Sequence, residues 1–67
     1  MDLNKAKPGD ELLTKHGTIL TYVGLIPGDY PHEIRYPDGA RGIRCDNGNV
    51  MHNNTWDTDE DVVEILG

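Results

Sequence analysis

The sequence predicts an all-β fold class, a small closed or nearly closed barrel of five or six short antiparallel strands, from three observations. Eight glycines and four prolines occur in the 67-residue chain, and over residues 1–48 they leave no stretch of the roughly ten to twelve residues that a typical helix uses. Residues 18–23 are rich in β-branched and aromatic side chains, and Asp38-Gly39 is a strong hairpin signal. The fifteen Val, Ile and Leu residues suffice for one core, so we expect residues 1–67 to form one domain.

The first predicted hairpin follows a lead-in over residues 8–10. A short strand over 11–14 is followed by a turn at 15–17, where Gly17 is free to take positive φ. The second arm, 18–23, is the strongest strand of the chain because nearly all of its residues favour extended backbone.

The strand over 18–23 carries apolar groups on both faces. Alternation places Tyr22 opposite Ile19 and Val23, so we expect Tyr22 on a partly covered outer surface. Residues 24–31 then form a long loop, because two prolines and two glycines exclude regular structure. Its apolar residues indicate that the loop packs against the barrel.

A second hairpin is predicted from strands over 32–36 and 41–45, joined by the turn at 37–40. Another glycine-containing turn at 46–48 then leads to residues 49–52, which we expect to return as a fourth or fifth strand.

The end of the chain combines an acidic segment with a short apolar strand. Residues 57–61 favour one helical turn capped by Thr58 or Asp57, since acidic side chains suit a helix N-terminus. Residues 62–66 form the last strand. Closing such a set of strands into a barrel removes exposed sheet edges.

The order of these features resembles an SH3-like barrel, on the lead-in over 7–14, the turn at His16-Gly17 and the terminal segment 61–66. The two ends are also similar to short uncharacterised proteins of tailed bacteriophages, which begin Pro-Gly-Asp-x-Leu-x-Thr and end Asp-Val-Val-Glu-Ile. Some small phage proteins of this general kind blunt bacterial defence by sequestering cyclic nucleotide or ADP-ribose signals. The resemblance therefore implies an anti-defence sponge as one context for this chain.

Composition excludes several partners. The net charge of −6 repels polyanions, so long DNA or RNA is not expected as a ligand. Cys45 is the single cysteine, which excludes an intrachain disulfide and favours the cytoplasm, or the host cytoplasm for a phage protein. No signal-peptide or membrane-spanning pattern is present, so we expect no membrane partner.

No motif in the sequence indicates a particular enzymatic reaction. His16, His32 and His52 lack zinc-ligand spacing, so we expect no metal and no cofactor. Cys45 with His32 or His52 is a formal nucleophile pair, but a small buried core residue is the favoured interpretation of Cys45. We therefore expect no enzymatic activity.

All three arginines, Arg35, Arg41 and Arg44, lie in the second hairpin. Alternation across an antiparallel pair predicts Arg35 and Arg44 as near neighbours on one outer surface. Their shared counter-ion is either a carboxylate of this chain, Glu33 or Asp46, or the phosphate of a ligand, which the arginine fork binds well.

Flat side chains surround this cluster and support the phosphate interpretation, because a base stacked on an aromatic ring beside arginines is a recurring recognition mode. The alternative is that Trp56 plugs the barrel and the tyrosines complete a core without Phe. The predicted ligand-binding residues are Arg35, Arg41, Arg44, Tyr22, Tyr30, His32, Tyr36 and Trp56.

Two functions follow as hypotheses. The first is a non-enzymatic protein that sequesters a small phosphorylated nucleotide in a groove between subunits of a homo-oligomer, since one barrel is too small to enclose it. The second is an interaction module or inhibitor that binds a host protein through its acidic surface. A small accessory domain of a larger assembly is a third interpretation. The acidic residues of the second hypothesis are Asp57, Asp59, Glu60 and Asp61.

Overall fold

The computed structural model describes residues 1–51 and 58–67, and its five strands form one antiparallel sheet in the order β4-β3-β2-β1-β5. The elements are a 3₁₀ turn at Leu3–Lys5 and the strands β1 (Glu11–Thr14), β2 (Ile19–Leu25), β3 (His32–Arg35), β4 (Arg41–Arg44) and β5 (Val62–Ile65). The all-β fold predicted from the sequence is confirmed. Within the described residues, no helix is long and apolar enough to cross a membrane.

Strand β2 is longer than predicted, so the loop after it is shorter. A bulge between Tyr22 and Gly24 shifts the register, and the strand then continues against β3 with Gly24 opposite Glu33 and Leu25 opposite His32. Glycine at the bulge fits its positive φ of 151°, a conformation that L side chains rarely adopt.

Two predicted elements differ from the structure near the C-terminal end of the sheet. Residues 49–51 are not a strand, because the turn after β4 ends with the Cys45 amide donating to the Asn49 carbonyl at 2.9 Å. Residues 58–61 form a turn rather than a helical turn, closed by the Asp61 amide donating to the Thr58 carbonyl at 3.2 Å. His52 and Asp57 lie outside the described residues.

The core lies on the inner face of the curled sheet. Its buried apolar side chains are Leu3, Leu12, Leu20, Tyr22, Ile34 and Val62. The 3₁₀ turn adds Leu3, which is 0% exposed and donates its amide to the Asp46 carbonyl at 2.7 Å. The side chain of Asp2 caps this turn, so the N-terminal segment closes one end of the sheet.

The expectation that Tyr22 lies on an outer surface is wrong. Tyr22 is only 3% exposed, whereas Ile19 and Val23 are 37% and 38% exposed. Alternation separates the two sets of side chains correctly, but it does not decide which set faces the core. That choice follows from the pairing of Tyr22 with Ile34, which is itself buried.

A seam of hydrogen bonds, formed by residues 44–50 against residues 58–62, brings the two outermost strands together. The Val62 amide donates to the Gly48 carbonyl at 2.8 Å. Gly48 has φ of +89°, and a Cβ atom there would lie 2.6 Å from the Val62 carbonyl oxygen. Only glycine therefore allows this close approach.

Candidate binding surface

The structure places Arg35 and Arg44 on opposite faces of the sheet, so the prediction that they are neighbours is wrong. The register pairs Arg35 with Arg41 and pairs Arg44 with the buried His32. Arg44 is 3% exposed, and the side chains of Arg35 and Arg41 are 50% and 61% exposed.

Gly42 explains why the inner and outer faces of β4 are the reverse of those predicted from the sequence. This residue pairs with Ile34 on the inner face, where a Cβ atom would lie 2.8 Å from the Ile34 Cδ1 atom. A side chain at this position would require the buried Ile34 side chain to shift, so glycine fits the inner face, and Ile43 points outward and is 40% exposed. Arg44 then follows on the inner face by alternation.

Arg44 is a structural side chain that spans the seam. Its Nε and Nη2 atoms donate to the Glu60 carbonyl at 3.1 and 3.0 Å. Nη1 donates to the Ile43 carbonyl at 2.8 Å, and Nη2 also donates to the Tyr36 hydroxyl at 2.8 Å. The guanidinium lies 5.8 Å from the centre of the Tyr36 ring. These contacts occupy the groups that the sequence assigned to a ligand.

The two other arginines share one carboxylate on the outer face. Glu33 Oε2 accepts from Arg41 Nε at 2.9 Å and lies 4.0 Å from Arg35 Nη2. Of the two counter-ions considered for Arg35 and Arg44, the carboxylate of Glu33 lies near Arg35, but its second arginine is Arg41 rather than Arg44. One carboxylate neutralises one of the two cations, so a single positive charge remains. A shallow groove of about 280 Å³ beside it is lined by Arg41, Gly42 and Ile43.

His32 lies at the centre of a polar chain that links the buried Tyr22 to the exposed Asp46. It is 0% exposed, and its Nδ1 atom is 2.7 Å from the Tyr22 hydroxyl while Nε2 is 2.7 Å from Asp46 Oδ1. Burial raises the pKa of Tyr22, and the negative charge of Asp46 adds to this effect. Tyr22 therefore keeps its proton. Because a carboxylate only accepts, we assign the ring proton of His32 to Nε2, which donates to Asp46, and Nδ1 then accepts from the Tyr22 hydroxyl.

Cys45 is not an activated nucleophile. The residue is 3% exposed, and burial raises the pKa of its thiol, with further increases from Asp46 and Asp61. A raised pKa keeps the thiol protonated, whereas a catalytic cysteine needs a lowered one. In the described part of the chain, no group of three or more His, Cys, Asp or Glu side chains is placed to hold a metal ion.

The remaining predicted residues do not join one site. Tyr30 is half-buried in the loop after β2, and this loop is closed by the Ile26 amide donating to the Pro31 carbonyl at 2.8 Å. Trp56 lies outside the described residues. Tyr36 is held at Arg44, away from the Arg35–Arg41 pair.

Sequence reasoning did not predict an apolar cleft that lies beside the bulge of β2. This cleft has a volume of about 160 Å³ and is lined by Asn4, Ala6, Pro8, Tyr22, Gly24 and Leu25. The available signal was the apolar pair Leu25-Ile26, which the sequence placed in a loop rather than at a strand end.

No protein-family model, curated protein or solved structure matches this chain. The resemblance to phage proteins stays a prediction that rests on the residues quoted for it.

Proposed function

We propose that this domain is a non-enzymatic binding protein that holds a small phosphorylated nucleotide on the outer face of the β3–β4 hairpin. The observation that carries the proposal is the exposed cross-strand pair of Arg35 and Arg41, which shares the single carboxylate of Glu33. Sequestration of a nucleotide signal, with no reaction, is the role that fits this arrangement.

The chemistry of the pair suits a phosphate group. Arginine presents a planar fork that matches phosphate oxygens, and the two forks of Arg35 and Arg41 project from directly opposite positions. The groove at Arg41, Gly42 and Ile43 adds an apolar contact for the rest of the ligand. Since the chain carries a net charge of −6, a ligand with few charges is favoured over a long polyanion.

The structure reduces the predicted ligand set. The side chains of Arg44, Tyr22 and His32 are buried and bonded within the chain, so they are not available to a ligand in this conformation. For the phosphate group, the proposal therefore relies on Arg35 and Arg41 among the three arginines.

The test is isothermal titration calorimetry with ADP, ADP-ribose and cyclic AMP as probes. We expect R35Q/R41Q to weaken binding by about tenfold or more, because each charge-assisted bond contributes roughly 1.5–3 kcal/mol. The matched control is K5Q/K7Q, which changes the net charge equally at two exposed lysines elsewhere. Equal loss in both variants, or no heat with any probe, contradicts the proposal.

A second candidate is a basic protein partner bound by the acidic surface, favoured by the surplus of negative charge. The structure leaves Asp59 and Glu64 exposed, whereas Asp61 is buried and bonded inside the seam. The variant D59N/E64Q should abolish capture of such a partner and leave nucleotide binding unchanged. The variant R35Q/R41Q should give the opposite result.

A further inference from the structure

Asn47 is the one asparagine of the sequence that is followed by glycine. In an Asn-Gly pair the glycine amide nitrogen can reach the carboxamide carbon of the asparagine, because glycine has no side chain to obstruct the approach. Attack by that nitrogen closes a five-membered imide and expels ammonia. The pair lies in the turn after β4, on the seam, where Asn47 is exposed and Gly48 is buried.

The turn holds the reacting groups together. Asn47 Oδ1 accepts a hydrogen bond from the Asn49 amide at 3.0 Å, which keeps the carboxamide beside the Gly48 peptide. When the Gly48 nitrogen attacks Cγ, negative charge develops on Oδ1, and the Asn49 amide is placed to stabilise that charge. The folded turn therefore supplies both a nucleophile and an oxyanion donor.

The seam opposes the reaction. The Gly48 amide donates its hydrogen to the Cys45 carbonyl at 2.9 Å, and this hydrogen must leave when the nitrogen attacks. Closing the imide ring also fixes the rotation about the Cα–C bond of Asn47, which reorients the Gly48 peptide. That rotation moves the Gly48 carbonyl away from the Val62 amide, its donor at 2.8 Å. The reaction therefore requires the seam to open locally.

We infer that Asn47 is a deamidation site of this chain and that the seam controls its rate. The Gly48 nitrogen bonds to Asn47 Cγ, and the carboxamide NH2 leaves with the Gly48 amide proton as ammonia. Water, the only co-reactant, then hydrolyses the imide. Addition of water at Cγ yields aspartate, whereas addition at the main-chain carbonyl yields isoaspartate, whose backbone is one carbon longer. The reaction is independent of nucleotide binding, because it involves neither Arg35 nor Arg41.

The isoaspartate product weakens the seam. The extra backbone carbon displaces Gly48 from its place beside Val62. That place tolerates little displacement, since a Cβ atom on Gly48 would lie 2.6 Å from the Val62 carbonyl oxygen. The product does not revert to asparagine, because the ammonia has left. The closed form of the sheet therefore has a chemical lifetime, set by how often the seam opens.

A second turn of the same chain provides a matched comparison. At Asp38-Gly39 the glycine amide donates to the Tyr36 carbonyl at 2.9 Å, and Asp38 Oδ1 accepts from the Ala40 amide at 2.9 Å. The two glycines have nearly the same φ, +91° here and +89° at the seam. The Gly39 carbonyl, however, accepts from the half-exposed side chain of Arg35 rather than from strand backbone. D38N therefore places a second Asn-Gly pair in the same geometry outside the seam.

The experiment incubates D38N in a mildly alkaline buffer and follows both sites by peptide mapping with mass spectrometry. Deamidation replaces an amide by a carboxyl group, so the mass gain identifies each site. In the folded protein we expect Asn47 to react at least about tenfold more slowly than the asparagine introduced at position 38, because its reaction needs the seam to open. In concentrated urea the seam is absent, and the two rates should agree within a few-fold.

The stability of the product tests the effect on the seam. The isoaspartate form of the wild-type chain is isolated by chromatography and compared with N47D, which carries the same added charge without the longer backbone. We expect the isoaspartate form to unfold about 4–8 °C below N47D, the shift that corresponds to the loss of one backbone hydrogen bond in a domain of this size.

Three outcomes overturn the inference. One is deamidation of the urea-unfolded chain at other asparagines while Asn47 stays unchanged, which would remove the site. Another is an equal rate at the two positions in folded D38N, which would show that the seam does not control the reaction. The third is an isoaspartate form as stable as N47D, which would show that the seam tolerates the longer backbone.

Discussion

Replacing Arg44 by methionine tests whether the seam holds the sheet in its curled form. Methionine keeps most of the apolar stem of the side chain but removes every donor. The substitution leaves three acceptors without their partner: the carbonyls of Glu60 and Ile43, and the hydroxyl of Tyr36. The variant contains no unpaired buried charge, because the substitution removes the guanidinium charge together with its donors.

The expected loss of unfolding free energy is about 3 kcal/mol, taking roughly 1 kcal/mol for each acceptor that loses its donor. A domain of 67 residues has a total of about 3–10 kcal/mol at roughly 0.05–0.15 kcal/mol per residue. The variant should therefore retain between about 0 and 7 kcal/mol of unfolding free energy. Its midpoint temperature should fall by about 12–24 °C, at roughly 4–8 °C per kcal/mol for a domain of this size.

The assay is thermal and urea unfolding followed by far-UV circular dichroism. R35M is the matched control, because Arg35 lies half-exposed on the neighbouring strand, where it donates to the Gly39 carbonyl and lies 4.0 Å from Glu33. We expect R35M to change the unfolding free energy by less than about 0.5 kcal/mol. If R44M is as stable as R35M, the guanidinium does not hold the seam and our account of the fold is wrong.

Three more substitutions test the network around the core. Burial would raise the pKa of Asp61, but hydrogen bonds from two backbone amides and a threonine hydroxyl outweigh it and lower the pKa below its ordinary value of 3.8. The wild type should therefore have a larger unfolding free energy than D61N above pH 3.8. In urea titrations this difference should shrink as the pH falls further, because the stabilising carboxylate is then protonated. A difference that stays constant with pH would refute this reasoning. Y22F should cost about 1–3 kcal/mol in urea unfolding by leaving Nδ1 of His32 unpaired, and an unchanged midpoint would show that the bond contributes nothing. G48A should lower the midpoint temperature much more than G39A, since both glycines have positive φ but only at Gly48 would a Cβ atom meet backbone. Equal decreases would show that the loss of stability comes from the positive φ alone, and not from the contact with the Val62 carbonyl.

Local signals in the sequence predict much of this fold. The turns at Gly17 and Gly39 have φ of +97° and +91°, as expected for glycines that follow His16 and Asp38. Both turns are fixed by residues next to each other in the chain, so their geometry follows from short-range sterics alone. The strands that flank them follow for the same reason.

The facing of β4 is harder to predict, and the candidate site depends on it. Alternation fixes which residues share a face, but not which face is covered. The sequence therefore predicted Arg44 on the outer face and Ile43 on the inner face, and the structure has the opposite. The missing signal was Gly42, since a glycine inside a strand often marks a close approach of other atoms. Tyr22 was misplaced for a related reason, because its partner Ile34 is distant in sequence.

The seam also has a consequence for the order in which the molecule assembles. Three of the four strand pairings join neighbours along the chain, whereas β5 pairs with β1, from Leu12 opposite Ile65 to Thr14 opposite Val62, across a long sequence separation. Closing that long loop lowers the chain entropy before the stabilising contacts between β1 and β5 form. The first four strands can therefore form as a run of hairpins, and β5 must insert last, between β1 and the Gly48 carbonyl. A synthetic peptide of residues 58–67 would then compete for that slot during refolding, and the last strand would act as the latch of the molecule.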